Sequence, residues 1–180
     1  MLEVIDSAIN HANRIISDLM DYSREMHLEP IECTPNSLLK EALPMIQIPD
    51  NTKIADYTLD EPKIKADVGK IVRVFINLIK NAVDAMPEGG TLEIRSTTTN
   101  DNLNITFTDT GKGISEEVMA KLFTPLFTTK AQGMGFGLAI CKREVEAHGG
   151  TITVKNTVGK GTTFTIALSI EPKLEKGGEK

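Results

Sequence analysis

The stretch Asn77–Met86, NLIKNAVDAM, decides how the rest of the chain is read. It is the second half of a pattern that predicts a helix from about Val68 to Met86. Val72, Phe75, Ile76, Ile79, Ala82, Val83 and Met86 recur at helical spacing and form one apolar face. Arg73, Asn77, Asn81 and Asp84 fall on the opposite stripe. Asn77 and Asn81 are i,i+4, so their side chains stack on that stripe. Asparagine is a poor mid-helix residue because its amide competes for backbone hydrogen bonds. Two in register fit either a solvated face or a pair of amide oxygens turned to a hard cation and its ligand.

The 180 residues suit one ordinary domain with an added element, and 40% apolar residues are enough for a packed core. Aromatics make up 4% with no Trp, which argues against a base-stacking nucleic-acid platform. The net charge of −5 argues against general affinity for DNA or anionic membranes. Cys33 and Cys141 belong to no metal-spaced or C-x-x-C motif and read as reduced thiols of a cytoplasmic protein. Charged residues interrupt the first apolar run, so no signal peptide is expected. No apolar run is long enough to predict a membrane span.

Residues 1–29 read as a separate segment. Ile5, Ala8, Ala12, Ile15, Leu19, Tyr22 and Met26 fall in steps of three and four, the seam of one long helix in a hairpin or bundle. Residues 30–171 read as the main domain and 172–180 as a polar, disordered tail. Thr34-Pro35 predicts a capped helix start, with Leu38, Leu39, Ala42, Leu43 and Ile46 on its apolar face. Strands are expected at 53–59, 64–66, 91–98, 103–109, 151–156 and 162–170, and helices at 116–121 and 136–147. Short turns join paired strands, so the fold class is α+β, a two-layer sandwich with helices on one sheet face, preceded by one long helix.

Three glycine clusters follow the central helix. DTGKGI (Asp109–Ile114) ends a strand, and a carboxylate there can receive an amino group such as that of adenine. GMGFGL (Gly133–Leu138) opens a helix, where glycines allow close approach and free N–H groups bind phosphate. GKGTT (Gly159–Thr163) joins two strands. Each is weak alone. None is a dinucleotide fingerprint or P-loop, and the HRD and DFG motifs of eukaryotic protein kinases are missing.

The ordered set NLIKNAVDAM, DTGKGI, LFTPLFTTK, GMGFGLAI, HGG and GKGTTF resembles the ATP-binding catalytic domain of sensor histidine kinases. That domain belongs to the GHKL superfamily, with its Bergerat ATP-binding fold. FTPLFTTK is most like the subgroup related to the nitrogen-regulation sensor. NRIISDLMDYSR resembles the second helix of the dimerisation and histidine-phosphotransfer hairpin. By that resemblance Asn81 would ligate a Mg²⁺ on the ATP phosphates and Asn77 would support it. Asp109 would recognise adenine, with Gly111, Gly113 and Ile114 shaping the base pocket. Residues 123–135 would form a lid carrying Thr128, Thr129 and Lys130. Gly133, Met134, Gly135, Phe136, Gly137 and Leu138 would wrap the phosphates, and Thr162 or Thr163 would close the adenine side.

Two departures stand out. Asp84 occupies a position where many members of the family carry Lys or Arg. The acceptor motif His-Glu-x-x-x-Pro is not in the sequence. The resemblance therefore implies a kinase fragment that phosphorylates a histidine on a hairpin of its parent homodimer, for transfer to a response regulator. His11 and His27 read as flank residues of the first helix, and His148 as a helix-terminal residue favourable to the dipole. Rival readings are a GHKL ATPase, a serine kinase of the anti-sigma type and an ATP-dependent dimerisation module without catalysis. The hydrolysing members carry Glu where Asn77 stands, and Asn accepts no proton at neutral pH.

Overall fold

The computed structural model describes residue 20, residues 26–129 and residues 135–170. The expected long first helix, the tail, and Lys130, Gly133 and Met134 of the expected site lie outside that description.

Thr34 starts the first helix as expected. Its Oγ1 accepts the Ser37 amide at 3.1 Å, and Ser37 Oγ accepts the Thr34 amide at 3.0 Å. This reciprocal cap, with Pro35 at the first helical position, fixes α1 (Pro35–Ala42). A short 3₁₀ turn, Leu43–Met45, follows. The central helix is α2 (Val68–Ala85), capped by Asp67, whose Oδ1 accepts the Lys70 amide at 3.1 Å. Two further helices are α3 (Glu116–Met119) and α4 (Gly137–Ala147).

Strands β1 (Ile31–Cys33) and β3 (Ile64–Ala66) pair antiparallel as a small ribbon. The main sheet has the order β2-β4-β5-β7-β6. Its strands are β2 (Thr52–Tyr57), β4 (Gly90–Thr99), β5 (Asn102–Asp109), β6 (Thr151–Thr157) and β7 (Gly161–Ser169). Among the described strands only β2 and β4 pair in parallel, which α2 makes feasible by carrying the chain across.

Alternation along the strands builds a one-sided core. Leu92 and Ile94 of β4, Leu103, Ile105 and Phe107 of β5, and Phe164, Ile166 and Leu168 of β7 are buried. The residues between them, such as Thr106, Thr108, Thr163 and Thr165, take the other face. α2 lies on the buried face, flanked by α1 and α4. Phe75 meets Phe107 edge to face at 5.1 Å, a geometry that adds about 0.5–1.5 kcal/mol beyond burial. The apolar side of α2 is wider than its sequence pattern. Ile71, Val74 and Leu78 are also buried, whereas Ile76 and Val83 are only half-buried. The cause is that α2 is enclosed on three sides, by the sheet, α1 and α4.

Candidate functional site

Asp109 is the last residue of β5 and shares the inward parity of Phe107. It is only 4% exposed. Its Oδ1 accepts the Gly111 amide at 2.8 Å and the Thr162 amide at 3.2 Å. Burial raises its pKa, and the two amides pull the other way. A buried carboxylate oriented through one oxygen by backbone amides is a fixed acceptor for an amino group.

The turn after Asp109 docks on the end of α2. The Lys112 amide donates to the Ala85 carbonyl at 3.2 Å. Gly111 sits so close that a Cβ would lie 2.5 Å from the Ala85 oxygen, so no side chain fits there. Gly113 has φ +72, and Ile114 is held from across the sheet by Asn156. The Ile114 amide donates to Asn156 Oδ1 at 2.7 Å, and Asn156 Nδ2 donates to the Ile114 carbonyl at 2.5 Å. Thr162 Oγ1 adds a contact to the same Asn156 oxygen at 3.3 Å.

The two threonines separate cleanly. Thr162 is 3% exposed and on the Asp109 face. Thr163 faces the other side of the sheet, its Oγ1 3.1 Å from Thr108 Oγ1. Strand parity carried this signal: Thr162 shares the register of Phe164, Ile166 and Leu168. Asn156 carried none, because an isolated Asn before a turn reads as turn chemistry.

The other end of the site sits further back on α2. Asn77 Nδ2 donates to the Arg73 carbonyl at 3.1 Å. Gly137, the first residue of α4, lies against Asn77, where a Cβ would be 3.3 Å from its Oδ1. From Asn77 to Ala85 is about 12 Å of helix axis. The asparagine stripe thus joins the Asp109 turn to the start of α4. Asn81 is half-buried on the same stripe. Asp84 is exposed and, with Lys80 and Val83, lines a groove of about 410 Å³ against Met45, Ile46 and Gln47.

In the segment leading into α4, Leu126 (φ 65) and Gly135 (φ 73) lie in the left-handed region. A Cβ on Gly135 would fall 2.5 Å from the Leu126 carbonyl carbon. Phe136 is buried, Leu138 is half-buried, and Thr128 and Thr129 are exposed. Lys112 faces solvent.

His148 corrects its expected role. Its Nε2 accepts the Asp67 amide at 2.9 Å, and Nδ1 lies 2.7 Å from the Glu144 carbonyl. An amide can only donate, so Nε2 is unprotonated and Nδ1 carries the proton. The ring is a neutral bridge from α4 to the cap of α2, not a cation on the helix dipole. Burial lowers its pKa, against the Glu144 hydrogen bond and the Asp67 charge.

An α/β sandwich with one covered sheet face, an asparagine helix and a carboxylate turn at its end defines a GHKL-type nucleotide-binding domain. The chain belongs to the family described as "Histidine kinase-, DNA gyrase B-, and HSP90-like ATPase", whose profile matches residues 66–172. It is 34% identical over 176 residues to the sensor histidine kinase ZraS of Escherichia coli (strain K12), covering 94% of this chain and 37% of that protein. It is 34% identical over 177 residues to the signal transduction histidine-protein kinase AtoS of the same organism, covering 96% of this chain and 29% of that one. The chain thus spans roughly a third of the length of these relatives. Among solved structures, the catalytic domain of histidine kinase ThkA superposes with a TM-score of 0.71 at 31% identity, covering 81% of this chain and 98% of that one. ThkA in complex with the response regulator TrrA gives a TM-score of 0.78 at 27% identity, covering 96% and 51%. Among the described residues no helix is long and apolar enough to cross a membrane.

Proposed function

We propose that the chain is the ATP-binding catalytic part of a sensor histidine kinase. It transfers the γ-phosphoryl group of ATP to a histidine on a dimerisation hairpin, from which a response regulator is served. The observation that carries this reading is the Asp109 carboxylate, aimed by the Gly111 and Thr162 amides beside the end of the helix that bears Asn77 and Asn81. Asp109 with Gly111, Gly113, Ile114 and Thr162 forms the base end. Asn77, Asn81, residues 128–130 and 133–138 form the phosphate end. Thr163, on the far face, is left out of the pocket, and Asp84 belongs to its solvated rim.

Mg²⁺ fits the donor set. Its preference is for oxygen ligands, few of them from protein when phosphates and water supply the rest. Asn81, half-buried on the asparagine stripe, is the residue that would hold the ion, as the family resemblance implies. When bound, the ion supplies charge neutralisation on the phosphates. Asn77, an amide, gives water no general base, which favours transfer to an imidazole over hydrolysis. Residues 1–29 supply the second helix of the hairpin, residues 30–171 the catalytic domain, and the parent protein places both in the cytoplasm as a homodimer.

The test mixes the chain with labelled ATP, Mg²⁺ and a separate hairpin bearing an acceptor histidine. Label is expected on the hairpin and almost none on this chain. Asn81→Ala should abolish Mg²⁺-dependent nucleotide binding. Fast phosphate release with an unlabelled hairpin would return the protein to the ATPase reading.

A further inference from the structure

The interface of α2 with α4 holds a charge that neither end of the site accounts for. Glu144 is 4% exposed and lies on the face of α4 that also buries Ile140, Cys141 and Val145. An apolar residue would continue that stripe. A carboxylate there has lost water and carries a large penalty unless it is paired. Arg73 Nη1, on α2, is 3.8 Å from Glu144 Oε1. Arg73 also presents the carbonyl that Asn77 Nδ2 binds, one turn along the helix.

Cys141 sits one turn from Glu144 and faces the same part of α2. Its Sγ lies 3.9 Å from the Val74 carbonyl. Burial first, and the Glu144 charge second, push its thiol pKa up, so it is a neutral spacer. Gly137, the first residue of the same helix, packs against Asn77 Oδ1. Glu144, Cys141 and Gly137, about one turn apart along α4, therefore meet Arg73, Val74 and Asn77 of α2, where Arg73 and Val74 are adjacent. Packing of Cys141 and Gly137 sets how close the helices lie. The charged pair would add a rotational preference, because the buried carboxylate has to stay within reach of the Arg73 guanidinium.

We propose that Glu144 is a positioning residue of the nucleotide site, acting through Arg73 to fix the rotation of α2 against α4 and so to aim Asn77, and Asn81 one turn on, at the phosphate end. The inference rests on the reading of that stripe given above. Neither side chain touches the nucleotide in this scheme.

The decisive variant replaces both charges with apolar groups of similar size, Arg73→Met with Glu144→Leu. Such a replacement of a buried pair commonly keeps or raises stability. The thermal midpoint should equal or exceed the parent's. The Asn77 side-chain amide protons should shift in NMR spectra of the nucleotide-free protein and exchange faster. Affinity for Mg²⁺·ATP should fall about tenfold, the lower end of the effect of residues that support a ligand from behind. Unchanged Asn77 signals with unchanged affinity would overturn the proposal and leave the pair as packing alone. If the double variant does not fold, Glu144→Gln keeps the shape, removes the charge and is read in the same two ways. If the parent itself does not bind Mg²⁺·ATP, the nucleotide reading fails. The Asn77 signals then still decide the clamp: a shift supports it and no shift removes it.

Discussion

The two ends of the site are built by different means. At the base end, Asp109, Gly111, Ile114, Asn156 and Thr162 are joined by five hydrogen bonds, four of which link the end of β5, β6 and β7 to one another. At the phosphate end, the turns before α4 close on themselves, with the Thr124 amide donating to the Lys121 carbonyl and the Phe127 amide to the Thr124 carbonyl. Leu126 and Gly135, both left-handed, lie against each other there. The base end is finished by the fold itself. The phosphate end takes its described shape from backbone conformation.

Asp109→Ala should break that contrast most strongly. It leaves the Gly111 and Thr162 amides without their acceptor in a buried place, at about 1–3 kcal/mol each, and removes the base acceptor. Denaturant unfolding should show a loss of several such units, and calorimetry no ATP binding. Asp109→Asn sharpens the point, since its amide oxygen can still serve both N–H groups. Stability should be nearly kept while ATP affinity drops about 10–100-fold, the worth of a hydrogen bond to a charged group. Equal affinity in the Asn variant would mean that adenine does not sit on this carboxylate.

Asn156→Leu removes both bonds to Ile114. A destabilisation of about 2 kcal/mol by urea titration is expected, with weaker ATP binding because the base turn loses its anchor. A variant as stable as the parent would show that the turn is held by its glycines alone. On the other side, Gly135→Ala places a Cβ against backbone at positive φ, at about 1–2 kcal/mol for the handedness alone. Its effect should fall on nucleotide affinity more than on the unfolding midpoint. An equal loss in both would mean that the two ends are one rigid unit.

The smallest effect concerns pH. His148 is neutral in the fold with a lowered pKa, so the unfolded state binds the proton more tightly. Its contribution to stability is present above its ordinary value of 6.5 and is lost as pH falls below 6.5 toward the folded value. His148→Gln, whose amide oxygen can accept from Asp67, should flatten that part of the stability profile. An unchanged slope between parent and variant would assign the acid loss elsewhere.

The sequence made the scaffold readable because strong local signals agreed. The Thr34-Pro35 cap is where propensity places it, and the central helix, expected over about Val68–Met86, runs Val68–Ala85. The strands ending at Asp109 and beginning at Gly161 differ from expectation by one residue at most at those ends. Asp109 and the glycine turns were legible as a motif. What was not legible is tertiary. Asn156 holds Ile114, a partner 42 residues away, and the buried Glu144 meets Arg73 of a different helix. His148 looked like a terminal cation, yet a backbone amide 81 residues distant in sequence dictates its tautomer. Such long-range partners leave no mark on a local window.

The parallel pairing of β2 with β4 has a kinetic side. Its first partners, Thr52 and Gly90, are separated by β3 and the whole of α2, so the pair cannot zip from a hairpin turn. Closing that loop must await the helix, whereas β4 with β5 can nucleate from the turn at Asn100. Assembly should therefore run from the β4–β5 hairpin outward, with the β2 edge among the last to dock. Pulsed hydrogen exchange would report that order as late protection of Ile54 relative to Ile105.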